Sequence, residues 1–227
     1  GDTSKVTGTA LVPLLATKIG VGDDHTCGIQ TNGTIKCWGR NNYGQLGDGS
    51  TTDNMTPVTV SGISSAAQIG LGDSNSCALL ENGSVKCWGR NNWATFGDNS
   101  TTDNSTPQFV SGSDNFTDIA VGEYFHSCGL LSGGGVKCWG SGYWGQIGDN
   151  STSQRKTPVS VTGITNAQKI AAGRTHSCAV LSGGSVKCWG DNTRSQLGDG
   201  TDLYKAPTTV SGISNASEIG AGLDQAC

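Results

Sequence analysis

Long apolar runs and charged residues are both scarce in this sequence. No apolar stretch reaches the roughly 18 residues that a membrane-spanning helix needs, and the longest, from Ala10 to Ala16, contains Pro13. We therefore predict no membrane insertion. Charged residues make up 14% of the chain, and the formal net charge is −4. Because binding to a phosphate backbone is driven by basic residues, we expect no nucleic-acid partner.

Signatures of an active site are also missing. The sequence has no Gly-x-Ser-x-Gly elbow and no phosphate-binding loop, and the paired carboxylates Asp23 and Asp24 have no partner base in view. Nucleophilic catalysis needs a nucleophile, a base and a group that orients the base. We therefore expect no enzymatic activity and no cofactor.

Glycine, by contrast, is abundant, with 36 copies among 227 residues. Ser, Thr and Asn are also frequent, whereas runs of helix-favouring residues are rare. This composition is typical of short strands joined by tight turns, so we predict an all-β chain with almost no helix.

The tripeptide Cys-Trp-Gly occurs four times at nearly constant spacing. Its tryptophans are Trp38, Trp88, Trp139 and Trp189, at intervals of 50, 51 and 50 residues. A period of this length indicates one supersecondary unit per repeat, stabilised by its neighbours. We predict a single repeat domain over 1–227. It comprises an N-terminal strand segment at 1–17, repeats near 18–67, 68–117, 118–168 and 169–217, and a partial repeat at 218–227.

Within each repeat, two cysteines ten positions apart flank a hairpin signal. Between Cys77 and Cys87, apolar residues alternate on both sides of Asn82 and Gly83, as expected for two strands and a turn. Pairing the cysteines leaves a three-residue loop ending in Gly83, where a type I turn plus bulge requires the left-handed conformation. The other three repeats also have glycine at this place in the loop.

The cysteine pairs are candidate disulfides, because opposite residues on neighbouring strands have β-carbons roughly 4.5–5.5 Å apart. We predict the bonds Cys27–Cys37, Cys77–Cys87, Cys128–Cys138 and Cys178–Cys188. Zinc is the alternative, although structural zinc sites favour shorter spacing within a pair. Disulfides indicate an extracellular or cell-surface location, with the periplasm or a secretory lumen as alternatives. The ninth cysteine, Cys227, is unpaired in this scheme and is a candidate for an intermolecular bond.

Histidine recurs two residues before the first cysteine of a pair, as His25, His126 and His176. Three histidines at the same place in different repeats could together bind a metal ion. The second repeat has Asn75 at this position and the fifth has Gln225. Since the property shared by these side chains is hydrogen bonding, we predict a structural role in turn capping and no metal.

Oxygen-rich loops begin at Asp48, Asp98, Asp149 and Asp199 and resemble calcium loops. The third and fourth repeats lack the second carboxylate of the first two, and the spacing differs from that of the helix-flanked calcium loop. We therefore expect these aspartates to fix turns by hydrogen bonds to the backbone, with calcium as the alternative.

Eight Asn-x-Ser/Thr sequons are candidate glycosylation sites. They are Asn32, Asn54, Asn82, Asn99, Asn104, Asn115, Asn150 and Asn215. The alternative is that the sequons simply follow from a surface rich in Ser, Thr and Asn.

The loop after Cys-Trp-Gly varies within a constant frame. Its aromatic and arginine residues form the candidate binding rim, made of Tyr43, Trp93, Tyr143, Trp144 and Arg194, and Tyr124 and Phe125 add to the aromatic supply. Such a rim is typical of a face that binds proteins or glycans. The alternative is that these rings pack between adjacent repeats, because aromatic side chains stabilise mainly by burial.

The landmarks Cys-Trp-Gly, Gln-Leu-Gly-Asp, Thr-Pro and Val-x-Gly, in this order, resemble the repeat of the regulator of chromosome condensation (RCC1) family in its secreted, cysteine-containing form. The resemblance extends from Lys18 to the end of the chain. It implies a β-propeller with four-stranded blades, seven of them in closed members, and about 50 residues independently suit one such blade. Four complete repeats and a partial fifth lead us to expect part of a larger or inter-subunit assembly.

The resemblance implies several functions. The namesake activity, guanine nucleotide exchange, uses a projecting β-wedge for which the uniform repeat spacing leaves no room, and a fold does not carry function with it. A secreted relative inhibits β-lactamases through aromatic and acidic residues on one rim. We expect a non-enzymatic structural or adhesive module that binds proteins or glycans. The alternative is a filament or surface-layer subunit joined to other copies through incomplete blades and Cys227, and an enzyme inhibitor or exchange factor comes third.

Overall fold

The computed structural model describes residues 15–113, 115–200 and 205–225 of the chain. These residues form sixteen β-strands and contain no helix, so none that could span a membrane. The prediction of an all-β chain is confirmed. The strands are β1 (Ala16–Val21), β2 (His25–Gln30), β3 (Ile35–Gly39), β4 (Asn54–Thr59), β5 (Ala66–Leu71), β6 (Asn75–Leu80), β7 (Val85–Gly89), β8 (Asn104–Phe109), β9 (Phe116–Val121), β10 (His126–Leu131), β11 (Val136–Gly140), β12 (Arg155–Ser160), β13 (Ala167–Ala172), β14 (His176–Leu181), β15 (Val186–Gly190) and β16 (Lys205–Thr209).

Every four consecutive strands form one antiparallel sheet in sequence order, which we call blades 1 to 4. The first strands of the blades lie side by side, since β5 contacts both β1 and β9, and β13 contacts β9. The fourth strands form the free outer edges. The first strand of blade 1 begins at Ala16, so residues 16 and 17 of the predicted N-terminal segment belong to blade 1, and residues 1–14 lie outside the described part.

The cysteine hairpin of each blade has the predicted register. Cys77 lies opposite Cys87, and Gly83 ends the loop between their strands with a φ of 82°. This left-handed conformation is one that glycine adopts without strain. The same arrangement recurs in the other blades, and all four predicted disulfides are present, each with a Cα–Cα distance of 4.1 Å.

Proline occupies the outer strand of each blade, as Pro57, Pro107, Pro158 and Pro207. An edge strand tolerates proline because one side of it has no ladder to donate to. Proline there also blunts an edge that would otherwise pair with another chain.

The hydrophobic core lies between the blades. Ile35 and Leu46 of blade 1 pack with Leu80 and Trp88 of blade 2, and equivalent clusters join the later blades. Trp88 has no exposed surface, and its Nε1–H donates to the backbone carbonyl of Gln45 in the preceding blade over 2.9 Å. Each Cys-Trp-Gly tryptophan of blades 2 to 4 therefore fixes its blade to the one before it.

Candidate functional site

One end of the molecule is formed by two sets of turns. The turn between the first and second strands of each blade meets the loop that follows the third strand. Backbone hydrogen bonds join them, for example from Arg40 N to Asp24 O over 2.9 Å and from Ser141 N to Phe125 O over 2.8 Å. We call this end of the blades the loop face.

Aromatic side chains from two neighbouring blades are in contact on the loop face. Trp93 of blade 2 stacks with Phe125 of blade 3 at a centroid distance of 6.3 Å and meets Tyr143 edge to face at 5.5 Å. Tyr124 lies 5.4 Å from Phe125. Tyr143 and Tyr124 remain 61% and 43% exposed, while Phe125 is buried beneath them. The rings thus form a supported surface that still faces solvent.

Arginine side chains extend this surface across the blades. The guanidinium of Arg90 lies 4.7 Å from the ring centre of Tyr43 in blade 1 and 5.1 Å from that of Phe125 in blade 3. Arg174 of blade 4 lies over Tyr124 at 5.4 Å. Cation–π contacts of this kind hold both partners in defined positions. We call Tyr43, Trp93, Tyr124, Phe125 and Tyr143, with Arg90 and Arg174, the aromatic cluster.

The structure brings together some of the predicted rim residues and separates others. Tyr43, Trp93 and Tyr143 belong to the aromatic cluster. Trp144 and Arg194 line a neighbouring cavity of about 220 Å³, where Arg194 forms an ion pair with Asp224. The Cys-Trp-Gly tryptophans pack between blades, and the rings of Trp93 and Phe125 also contact each other across a blade junction.

Buried asparagines hold the variable loops in shape. The side-chain oxygen of Asn41 accepts a hydrogen bond from Leu46 N over 2.8 Å, and that of Asn91 accepts one from Phe96 N over 2.9 Å. Their amide groups donate to the loop residues that follow, as Asn41 does to Thr52 O. The sequence analysis missed these residues, although asparagine two places after Cys-Trp-Gly in three of the four repeats, as Asn41, Asn91 and Asn192, was a signal.

Three aspartates of the oxygen-rich loops bind the backbone as predicted, and the fourth, Asp199, accepts a hydrogen bond from the side-chain amide of Asn192 over 3.1 Å. The carboxylates of Asp48, Asp98 and Asp149 each accept a hydrogen bond from the backbone N–H of a serine two residues later. Among the described residues, no group of three or more His, Cys, Asp or Glu side chains could hold a metal ion.

One cavity is lined by the residue that follows the glycine of the first turn in successive blades. Asp23, Asp73, Glu123, Arg174 and Leu223 line this cavity, which has a volume of about 400 Å³ and also touches Tyr124. We call it the axial cavity. The sequence analysis considered Asp23 only as one of two paired carboxylates without a base and missed the set. The signal was its shared position, one residue after glycine in five successive repeats.

Glycine is what allows these turns to approach each other. A β-carbon on Gly22 would lie 2.5 Å from the carbonyl oxygen of Gly72, and one on Gly122 would lie 2.6 Å from that of Gly173. Both distances are too short for any side chain, so the turns of neighbouring blades meet only through glycine. This close approach places the next residue of each turn around one axis.

The negative charges of the axial carboxylates are only partly balanced by nearby positive charge. Burial raises the pKa of Asp23 above its ordinary value, and the charges of Asp73 and Asp24 raise it further, whereas Arg174 lowers it. Burial also raises the pKa of Glu123, with a further contribution from Asp23. The described residues provide no ion-pair partner within 4.0 Å for Asp23, Asp73 or Glu123.

Two of the recurring histidines, His25 and His126, join blades, so for these two the prediction of turn capping needs correction. His25 Nε2 lies 2.8 Å from Ser76 Oγ, and His126 Nε2 lies 2.9 Å from Ser177 Oγ, in each case across the junction to another blade. Burial lowers the pKa of His25 to about 4 and that of His126 to about 3. Both imidazoles are therefore neutral at physiological pH, and their burial leaves no access for a substrate.

The sequons lie mainly on the surface. Asn54 and Asn104 are half-buried, and the other six asparagines are exposed. In Asn32, Asn54, Asn82 and Asn104 the side-chain oxygen accepts a hydrogen bond from the Ser or Thr hydroxyl two residues later. The sequon pattern thus also serves local turn chemistry, and glycosylation stays a prediction. Cys227 lies outside the described residues.

Comparison with known proteins identifies the repeats. Two family models of the Regulator of chromosome condensation (RCC1) repeat match the chain, one at residues 16–45, 116–146 and 167–196 and the other at 32–79, 82–129 and 134–180. No curated protein sequence matches significantly.

Solved structures match over most of the chain. Yeast RCC1 (Prp20), crystallised with Kap60, is 23% identical with a TM-score of 0.81, and the match covers 93% of this chain and 52% of that one. Human WBSCR16 is 22% identical with a TM-score of 0.82, covering 93% and 56%. Prp20p from Saccharomyces cerevisiae, in a second structure, is 22% identical with a TM-score of 0.79, covering 93% and 55%.

The chain thus spans about half the length of these propellers. The structural likeness shows that the four sheets are blades of the β-propeller fold. Together with the family models, whose matches cover more than half of the sequence, it shows that the chain belongs to the RCC1 repeat family.

Proposed function

We propose that the chain is a non-enzymatic binding module that engages a protein, or a glycan, through its loop face. The observation that supports this most strongly is the aromatic cluster, to which blades 1 to 4 all contribute. Aromatic and arginine side chains supply most of the binding energy in protein interfaces. Phe125 is buried, but Tyr143 and Tyr124 remain 61% and 43% exposed, which is more than packing between blades would require of them.

The loops that carry the cluster are held in shape before any partner binds. Asn41 and Asn91 fix the loops of Tyr43 and Trp93 through buried hydrogen bonds. Phe125 adopts a left-handed φ of 62°, which is costly for a bulky residue and persists only when packing enforces it. A preformed surface loses less conformational entropy on binding, which favours affinity.

A related propeller is known to engage proteins. The structure of yeast RCC1 (Prp20) was determined with Kap60 bound, and Prp20p has been studied for its binding to Gsp1p and histones. Both structures are under 25% identical to this chain, so the likeness shows a shared fold and does not identify a partner. The relatives therefore support protein binding as a use of this architecture.

We further propose a secreted or cell-surface location and a structural or adhesive role. The four disulfides support an oxidising compartment. If this is right, protein recovered from its natural source should carry these bonds fully formed. Thiol labelling of freshly isolated material before and after reduction measures this.

The binding proposal is tested by selecting partners for the loop face. Random peptides displayed on phage are selected on the chain, and the affinities of the winners are compared for the native protein, Trp93→Ala and Phe109→Ala. Phe109 is 59% exposed on the outer strand β8, away from the loop face, so its variant is the matched control. We expect about a tenfold or greater loss with Trp93→Ala and little change with Phe109→Ala. Equal affinities for all three proteins would contradict the proposal.

The open side of blade 4 favours a second candidate function, assembly with other copies. An apolar groove of about 360 Å³, lined by Val186, Leu197, Val210 and Ile219, lies where another blade would pack. An assembly subunit would form large ordered species without ligand, and Cys227 would be bonded between copies. Sedimentation before and after reduction, with peptide mapping of Cys227, distinguishes this from a monomer.

A further inference from the structure

The axial cavity and the aromatic cluster are parts of one continuous surface. Tyr124 and Arg174 belong to both, because Arg174 lines the cavity and also lies over the ring of Tyr124 at 5.4 Å. A partner that covers Trp93 and Tyr143 would therefore also cover the mouth of the cavity. What that partner places there depends on the charge and size of the cavity.

The cavity has an excess of negative charge. Three carboxylates, Asp23, Asp73 and Glu123, line it, and among the described lining residues Arg174 is the single base. Three other arginines of the loop face are already engaged: Arg40 pairs with Asp24 and Arg194 with Asp224. Arg90 lies against the rings of Tyr43 and Phe125. Covering the cavity with an apolar or acidic group would remove water from unpaired carboxylates, which is costly.

We propose that the protein partner inserts a lysine or arginine side chain into the axial cavity. This inference rests on the proposed function and specifies the partner as one with a basic residue at the centre of its contact surface. A cavity of about 400 Å³ is large enough for such a side chain. The aromatic ring of Tyr124 at its mouth suits the aliphatic stem and the cationic head.

In the free protein, the axial carboxylates are held close together in an electrostatically unfavourable arrangement. Burial raises the pKa values of Asp23 and Glu123, and repulsion from nearby carboxylates raises them further, whereas Arg174 lowers them. No ion pair among the described residues involves these carboxylates. Groups perturbed in this way cluster at functional sites. A cation from the partner would relieve the repulsion and gain more than it would at an already neutral surface.

The inference is tested with the displayed-peptide selection and one synthetic pair. We expect the winning peptides that require Trp93 to contain a lysine or arginine that cannot be replaced. One winner is synthesised with this residue and with neutral norleucine. Both peptides are titrated by calorimetry against the native chain, the triple variant Asp23→Asn/Asp73→Asn/Glu123→Gln, and the single variant Glu123→Gln. The control Glu81→Gln removes the same charge at a hairpin tip, at the other end of β6 from the loop face.

The expected result is about a tenfold loss of affinity for the basic peptide in the triple variant, a smaller loss with Glu123→Gln and none with Glu81→Gln. The norleucine peptide should bind the native chain and the variants equally. Some peptides could require Trp93 and yet bind equally well with norleucine in place of the basic residue, or bind the triple variant as tightly as the native chain. Either result would overturn this inference and leave the proposed function standing. Peptides that do not require Trp93 would overturn both.

Discussion

At the scale of the single residue, the Cys-Trp-Gly tryptophans connect each blade to the one before it. The tryptophan of each Cys-Trp-Gly sequence is repeated because it performs the same task in each blade. Trp139, like Trp88, is fully buried and donates to a carbonyl of the preceding blade, that of Thr95, over 2.9 Å. Trp38 belongs to blade 1 and is half-buried, because no earlier blade is present among the described residues. The same residue type is therefore structural at three positions and partly exposed at one.

Replacing Trp139 by phenylalanine should destabilise the protein by about 1–3 kcal/mol. The substitution leaves the Thr95 carbonyl buried without its donor, which costs roughly this much. Trp38→Phe is the matched control, since Trp38 makes no such bond among the described residues, and it should cost under about 1 kcal/mol. Urea unfolding measures both. Equal losses would show that the inter-blade hydrogen bond is not the important contact.

The buried histidines should make the protein sensitive to acid. The folded-state pKa of His25 is about 4 and that of His126 about 3, below the ordinary value of 6.5. The unfolded chain therefore takes up protons first, and stability falls as the pH drops from about 6.5 towards 4. One unit of pKa difference corresponds to about 1.4 kcal/mol, so the loss reaches roughly 3 kcal/mol per histidine.

Asparagine at the same position in blade 2, Asn75, provides the matched variant. We expect His25→Asn/His126→Asn to be less acid-sensitive between pH 6.5 and 4, because asparagine does not titrate. Urea midpoints measured across this range test the point. Parallel pH profiles for the native and variant proteins would mean that other groups cause the acid loss.

At the scale of the element, the hairpin shows how much the sequence could predict. Cysteine register, turn length and glycine position agreed, and the structure has Cys77 opposite Cys87 with Gly83 left-handed. These features depend on residues within a dozen positions of each other, so local turn chemistry determines them. The hydrogen bond between His25 and Ser76 spans 51 positions, and no local rule could identify the serine as its partner.

Removing one disulfide should lower the free energy of unfolding measurably. Closing a loop of this length contributes about 2–3 kcal/mol on the chain-entropy model, so Cys128→Ala/Cys138→Ala should lose about that much. Lys137→Ala, on the same strand β11, is the control and should change stability by under about 0.5 kcal/mol. Guanidinium unfolding compares the two. A double-alanine variant as stable as the native chain would mean that packing alone holds the hairpin.

At the scale of the whole molecule, the proposed binding surface arises because successive blades turn about a common axis. The sequence shows that Asp23, Asp73 and Glu123 share a position after glycine in successive repeats. It does not show that they meet, because this requires successive blades to turn about an axis. The aromatic residues were predicted as a candidate rim from their variation within a constant frame. Their contacts across blades, such as Trp93 with Phe125, depend on the same arrangement.

Neutralising an axial carboxylate should not destabilise the molecule. The raised pKa of Glu123 means that its charged form is disfavoured in the folded protein, so Glu123→Gln should melt at the same temperature as the native chain or higher. Glu81→Gln should leave the melting temperature unchanged. Differential scanning calorimetry at neutral pH measures both. A clear loss of stability in Glu123→Gln alone would assign the carboxylate a structural role.

The central claim, that the loop face is the binding surface, is tested most directly by hydrogen–deuterium exchange with a selected peptide bound. The account predicts that protection appears in the loops around residues 41–46, 91–96 and 141–147 and in the turn at 123–125. Protection confined to the open side of blade 4, around Val186 and Leu197, would contradict it and favour assembly through incomplete blades.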